Sequence, residues 1–287
     1  MKERKQLTKT LVESSLMVAL STVLSMLKLA EMPYGGSITL ASMLPIAVIA
    51  YRHGVITGLG SGLVYAALQQ LLGLNTLSYV TGWQSVLAVI LLDYMLAFTV
   101  VGFAGIFRGR IAKNSLMSAS ERQKLELGTG MVLACILRYI LHTVAGATVW
   151  AGLSIPTEAA LIYSIGYNAT YMIPETIVNT VACVWLGGVI DFSKNLPVRF
   201  APSDTDTAQS AEAYGWLSRI AAIILLVIVV ADSVMIFPHL QHPDDGSFTF
   251  EFLSSVNWIA VTVVSAVGIV IAAVSLFVHK ILREKKA

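Results

Sequence analysis

The stretch from Arg138 to Glu175 decides how this chain is read. It runs RYILHTVAGATVWAG (residues 138–152), breaks over residues 154–158, and resumes as YSIGYNATYMIPE (residues 163–175). Both halves are apolar enough to lie in a membrane, yet each carries more polar and aromatic groups than a lipid-facing helix tolerates. Arg138, His142, Gly146 and Trp150 recur every fourth residue, so one helix face presents a cation, an imidazole, a gap and an indole. Tyr163, Tyr167, Asn168 and Tyr171 answer from the next segment. Polar groups at membrane depth are costly unless they face protein or a cavity. The stretch therefore reads as one wall of a binding site.

The rest of the chain has the composition of an integral membrane protein. Of its 287 residues 56% are hydrophobic and only 13% charged, against roughly 25% charged in soluble domains, and the mean hydropathy is +0.76. A net charge of +2 gives no reason to expect a nucleic-acid partner. The basic start MKERKQLTK leads into an apolar run with no small-residue cleavage site, which reads as a first transmembrane anchor. Cys135 and Cys183 both lie inside apolar segments, where packing explains them without a disulfide or a metal. No P-loop, GxGxxG or HExxH motif occurs, so ATPase, dinucleotide and zinc-hydrolase chemistry lack support.

A span needs about 20 mainly apolar residues, and eight segments are expected to serve: 10–30, 39–51, 54–74, 83–107, 127–151, 159–190, 215–237 and 255–279. The second is short, and the PYGGS turn before it (residues 33–37) is expected to form an ordered outer loop. The sixth contains Pro174, which predicts a kink or a re-entry. Eight spans put both termini on one side. That side collects Lys2, Arg4, Lys5, Lys9, Arg52, Arg108, Arg110, Lys113, Arg122, Lys124, Lys194, Arg199, Arg219 and the basic tail, while Lys28 and Arg138 stand apart. The positive-inside rule then makes both termini cytoplasmic. The predicted fold is an all-α integral membrane protein divided in three. Residues 1–193 form a six-helix membrane unit, 194–212 a polar cytoplasmic linker, and 213–287 an appended transmembrane hairpin with a basic tail. Asp232, near the outer end of that hairpin, is expected to snorkel to the interface.

Asp93, in LLDYMLAF, is the carboxylate inside the fourth span. An intramembrane acid is a functional-site hypothesis because an unpaired carboxylate there costs several kcal/mol. It can serve as the anionic partner of a cationic or amine-bearing ligand, or it can form a salt bridge with Arg138 that locks two helices. Tyr94 adjoins it. His142, Gly146 and Trp150 share a face on which the glycine lets a flat ring approach the backbone. Trp150 also has the ordinary reading of an interfacial belt residue. Arg138 lies deeper and reads as a structural partner. Asn168 and Tyr163 point to adjacent faces and would flank a ligand, and asparagine offers the donor and acceptor that the edge of a heterocycle needs. Glu175, beside Pro174, is expected to satisfy backbone groups freed by the proline. In the first span Ser15 and Ala19 make a small-xxx-small pair that permits close helix contact.

Taken in order, KLAEMPYGGSITLASMLPI, YRHGVITGLGSGLVYAALQQLLG, LLDYMLAFTVVGFAGIF, RYILHTVAGATVWAG and YSIGYNATYM resemble the thiamine-specific S components (substrate-binding subunits) of energy-coupling factor transporters. The resemblance covers about two-thirds of the chain, from Thr8 to Asp191. It implies a six-helix membrane protein, not an enzyme and without a cofactor of its own. Such a protein captures thiamine from outside and delivers it within a complex of a scaffold membrane subunit and two ATPases. Position by position, it makes Asp93 the acidic ligand residue and Tyr94 its companion. His142, Gly146 and Trp150 become the fifth-helix triplet, with the indole stacked on a ligand ring, and Tyr163 and Asn168 the sixth-helix pair. Ser15 and Ala19 fall on the docking surface for the scaffold subunit, with serine where alanine is more usual. Tyr65 replaces a tryptophan of some members, and the PYGGS loop departs from the aromatic lid that some members carry. Spans seven and eight have no counterpart in the minimal unit, so removing residues after about 195 is expected to leave binding intact. Two other readings stay open at this point: the same machinery carrying a precursor such as hydroxymethylpyrimidine, and an intramembrane hydrolase using His142 with a serine or Asp93. The second lacks a nucleophile turn. A stand-alone secondary carrier would be expected to show internal repeats, and none is visible.

Overall fold

The computed structural model describes residues 2–111, 117–151, 158–200, 215–244 and 247–284. Helix α1 (Lys2–Met26) leads into a strand pair, β1 (Lys28–Glu31) and β2 (Ser37–Thr39), closed by the tight turn Pro33–Gly35. Then come α2 (Leu44–His53) and α3 (Val55–Leu72), a 3₁₀ segment Leu74–Tyr79, α4 (Trp83–Gly105), α5 (Ala119–Thr148) and α6 (Ala160–Val189). A small pair, β3 (Ile190–Asp191) and β4 (Val198–Arg199), precedes α7 (Gly215–Ile236) and α8 (Trp258–Glu284). Residues 201–214, which include most of the expected linker, lie outside the described residues.

Seven helices among the described residues are long and apolar enough to cross a membrane. The multi-pass membrane reading stands, but the expected span at 39–51 does not. Its helix, α2, has 10 residues, about 15 Å of rise, half of a bilayer core. Pro45 to Arg52 are all buried in the bundle. These residues are apolar because protein surrounds them, which is the usual meaning of so short an apolar run. With β2, helix α2 runs back along α1, and its end meets Glu13 of α1 through Arg52 and His53.

Close helix contact is set by glycines at two places. A Cβ at Gly102 of α4 would collide with the backbone at Gly58 and Leu59 of α3, and one at Gly130 of α5 would meet the Ala104 carbonyl. The start of α5 is fixed by a capping box: the Glu121 amide donates to Ser118 Oγ, and the Ser118 amide donates back to the Glu121 carboxylate. Helix α6 runs unbroken through Pro174, so the re-entry expected there does not occur.

Arg52, Arg108 and the residues after α6 meet at one end of the bundle. Arg52 reaches Glu13 of α1 with two nitrogens, at 3.0 and 3.1 Å, and donates to the carbonyls of Phe192, Lys194 and Asn195. His53 Nε2 lies 2.7 Å from the same Glu13, and Arg108 donates to the Arg52 carbonyl. One guanidinium thus ties α1, α2 and the segment after α6. On α1, Ser21 and Ser25 turn inward, while Ser15 and Ala19 lie on the exposed outer face and Ser15 Oγ bonds back to the Leu11 carbonyl.

The C-terminal hairpin is packed onto the bundle. Helix α7 lies against α6 and β1, and Gly268 of α8 admits the Ile228 side chain of α7. Asp232 does not snorkel: Oδ2 accepts a 2.7 Å hydrogen bond from Ser265 of α8, pairing the two helices. Of the five tryptophans, Trp83 is 71% exposed, Trp185, Trp216 and Trp258 are about half exposed, and Trp150 is only 7% exposed. Trp150 is therefore not a belt residue.

Candidate functional site

A cavity of about 610 Å³ opens between the strand-pair turn, α3, the 3₁₀ segment, α4, α5 and α6. That volume sits inside the roughly 300–1,000 Å³ range of small-molecule sites. Asp93, Tyr94, His142, Gly146, Trp150 and Asn168 all line it. Helix α4 changes there to a π-helical stretch, Ile90–Leu96, a wide turn that recurs at functional sites. Asp93 and the adjacent Tyr94 both face the cavity from this turn.

Asp93 is held by two nitrogens from α5 and its end. His142 Nδ1 is 2.9 Å from Oδ1, and Trp150 Nε1–H donates to Oδ2 at 2.8 Å. Below the imidazole, Arg138 Nη2 lies 3.3 Å from His142 Nε2. A guanidinium only donates, so Nε2 accepts, and the remaining ring proton sits on Nδ1 and points at Asp93. Arg138, His142 and Asp93 form a relay with a fixed tautomer. The alternative of a direct Arg138–Asp93 salt bridge is replaced by this arrangement. A carboxylate offers about four acceptor positions, and the two protein donors leave each oxygen able to accept another.

Arg138 is more than a helix lock, because it also lines the cavity. Its guanidinium carbon lies 4.3 Å from the Phe98 ring centroid, Nη1 contacts Met43 Sδ at 2.9 Å, and Nε is buried without a partner. Tyr94 Oη donates toward Thr76 Oγ1 (3.1 Å) and the Gly73 carbonyl (3.3 Å), tying α4 to the 3₁₀ segment. Asn168 lines the cavity with its amide already engaged. Nδ2 donates to the His142 and Ser164 carbonyls, and Oδ1 accepts from Tyr171 Oη at 2.7 Å. Tyr163 is absent from the cavity wall. It packs behind it, against the cluster that contains Trp150, and 6.1 Å from Phe250.

Three features of the wall escape a reading by spacing. The Tyr34 ring stands 5.1 Å from Tyr79, edge-on, and 6.4 Å from Trp150. The PYGGS turn therefore does bring an aromatic over the site, with Tyr34 in the left-handed region at φ 63°. Gly36 donates its amide to Tyr167 Oη at 3.3 Å, and any Cβ there would strike the Tyr171 ring. Glu175 serves β2, not the proline: its oxygens accept the Thr39 amide and hydroxyl, both at 2.7 Å. One turn on, Asn179 Oδ1 accepts the Met43 amide at 3.0 Å. The proximity of Glu175 to Pro174 was the only cue in the sequence, and it pointed to the wrong partner. Glu175→Ala should lower the thermal midpoint in detergent, because the buried Thr39 amide would lose its carboxylate acceptor at about 1–3 kcal/mol, while the Thr39 hydroxyl can turn to Ser42 Oγ, 2.8 Å away. An unchanged midpoint would show that β2 is held by other contacts.

A partly buried acid, a locked histidine and a set of aromatics around a cavity in a helical bundle define a membrane protein that binds a small polar ligand. The family described as thiamine transporter protein (Thia_YuaJ) matches residues 11–191, and this chain belongs to it. The chain is 30% identical over 180 residues to thiamine transporter ThiT of Bacillus subtilis (strain 168), covering 62% of this chain and 89% of that protein. It is 25% identical over 140 residues to ThiT of Lacticaseibacillus paracasei (strain ATCC 334), covering 48% and 67%. The solved structure of ThiT from Listeria monocytogenes superposes with a TM-score of 0.52 at 25% identity, over 64% of this chain and 94% of that one.

Proposed function

We propose that this chain captures thiamine from outside the cell and that Asp93, held between His142 and Trp150, is the group that recognises it. The observation that carries the reading is this carboxylate, hydrogen-bonded at 2.9 and 2.8 Å in a wall of aromatic rings. Thiamine joins an aminopyrimidine to a thiazolium cation. The amino group can donate to the free acceptor positions of Asp93. The cation gains from the carboxylate and from aromatic faces such as Tyr34 and Trp150, at about 2 kcal/mol or more per face once desolvated. Gly146 leaves room for a ring against α5, Tyr94 closes one side, Asn168 lines the wall with its amide held by protein partners, and Tyr163 supports it from behind.

The chain works as the substrate-binding subunit of an energy-coupling factor transporter. Energy comes from two partner ATPases through a scaffold subunit that docks on the exposed Ser15–Ala19 face of α1. Both termini are cytoplasmic on the distribution of Lys and Arg along the sequence. The chain binds and delivers without catalysing a reaction. Both imidazole nitrogens of His142 are engaged by Asp93 and Arg138, which leaves none to activate a nucleophile.

The test is equilibrium dialysis of the purified chain against labelled thiamine, with hydroxymethylpyrimidine as competitor. Tight, saturable thiamine binding and weak competition are expected. Tight pyrimidine binding without thiamine binding would shift the ligand to the precursor. Uptake by cells lacking the partner ATPases would overturn the delivery route.

A further inference from the structure

The loop between α7 and α8 packs the C-terminal hairpin against the back of the ligand-site wall. Phe237 and Leu240 at the end of α7 are buried in the main core. The two arms of the loop are joined by backbone bonds: Thr249 N–H to the Leu240 carbonyl at 3.1 Å and His242 N–H to the Ser247 carbonyl at 2.8 Å. This pairing presents Phe248 and Phe250 to α6. Phe248 is buried and meets Tyr167 edge-on, with centroids 5.2 Å apart at 84°. Phe250 packs on Phe248 at 4.9 Å and lies 6.1 Å from Tyr163. Gly166 makes this contact possible, since a Cβ there would lie 2.7 Å from the Phe250 ring.

Tyr167 is the next link. Its ring is gripped by Phe248 on one side and by Tyr171, 5.8 Å away, on another. Its hydroxyl accepts the Gly36 amide, two residues from Tyr34 in the turn that covers the cavity. A continuous set of contacts thus runs from the hairpin loop through one tyrosine to the cover of the site. A rotamer change at Tyr167 would break that hydrogen bond to the turn.

We propose that Phe248 and Phe250 are positioning residues. They hold Tyr167, and through it the Tyr34 turn, and so set how long a ligand stays in the cavity. The retention role rests on the thiamine reading above; the brace itself does not.

Two measurements on the full-length chain separate these claims. In the ligand-free protein, hydrogen exchange over residues 32–37 should quicken about fivefold in Phe248→Ala, the scale of one lost edge-to-face pair, with exchange in α5 unchanged. Release of bound labelled thiamine should quicken by about the same factor while its association rate stays within about twofold, as expected for a change confined to retention. Phe248→Leu, which keeps apolar bulk, should recover part of both. Phe250→Ala, at a ring 40% exposed, should show a smaller change of the same kind with little burden on folding. Wild-type exchange in both alanine variants would overturn the brace, and faster exchange with unaltered release would overturn the retention role. A wild-type chain that bound no thiamine would overturn the ligand assignment alone, and exchange would still decide the brace.

Discussion

Asp93→Ala should weaken thiamine binding thirtyfold or more. Truncating one member of a largely desolvated, hydrogen-bonded charged set costs about 2–5 kcal/mol, and each 1.4 kcal/mol is about tenfold. Three losses act together: the acceptor for the ligand, the counter-charge for its cation, and the partner of His142 Nδ1 and Trp150 Nε1, now 2.9 and 2.8 Å away. Asp93→Asn separates them. It keeps one acceptor oxygen but turns an NH₂ toward one of the two protein donors, so its affinity should also fall, even though the side chain is nearly the same size. Equilibrium dialysis reads both variants, and wild-type affinity in Asp93→Ala would remove the acid from the site.

Trp150→Ala is expected to cost at least about tenfold, roughly 1.4 kcal/mol, because one side chain fills two roles. Its ring completes the wall beside Tyr34, and its indole N–H orients Asp93. Trp150→Phe keeps most of the ring and loses the N–H, so it should fall between alanine and wild type. A phenylalanine variant as weak as alanine would mean that orienting the acid outweighs the ring surface.

Much of this site could be read along the chain, because its central residues repeat on one helix face. His142, Gly146 and Trp150 follow helical spacing, and an acid in an apolar segment stands out by cost alone. What spacing could not supply was the pairing across elements. Asp93 was as compatible with Arg138 as with His142 until the π-helical turn of α4 and the depth of α5 were known. Tyr34 depends on a left-handed backbone in a turn, and Glu175 on a strand 136 residues earlier in the chain. The contacts they end in, Tyr34 with Trp150 and Glu175 with Thr39, are long-range facts with no local signature. Tyr163 matched a family position by register yet faces the back of the wall.

The fold followed the same division. Long helices were visible from hydropathy, since lipid imposes one composition on every residue it touches. Helix α2 was mistaken for a span because burial in protein selects the same residues over a shorter length. The hairpin looked accessory because its helices are plain Val, Ile and Ala. Helix α7 and the outer loop both meet α6, and in that loop Phe248 and Phe250 sit among acidic and polar residues that suggested only solvent.

The distribution of the tryptophans gives the molecule a single optical reporter. Four indoles stand toward the bundle exterior, while Trp150 alone is enclosed, with Tyr34 and a carboxylate beside it. Any quenching or spectral shift of intrinsic fluorescence caused by a ligand in the cavity therefore originates from one chromophore over a constant background. The Trp150→Phe variant should be dark to ligand even where it still binds.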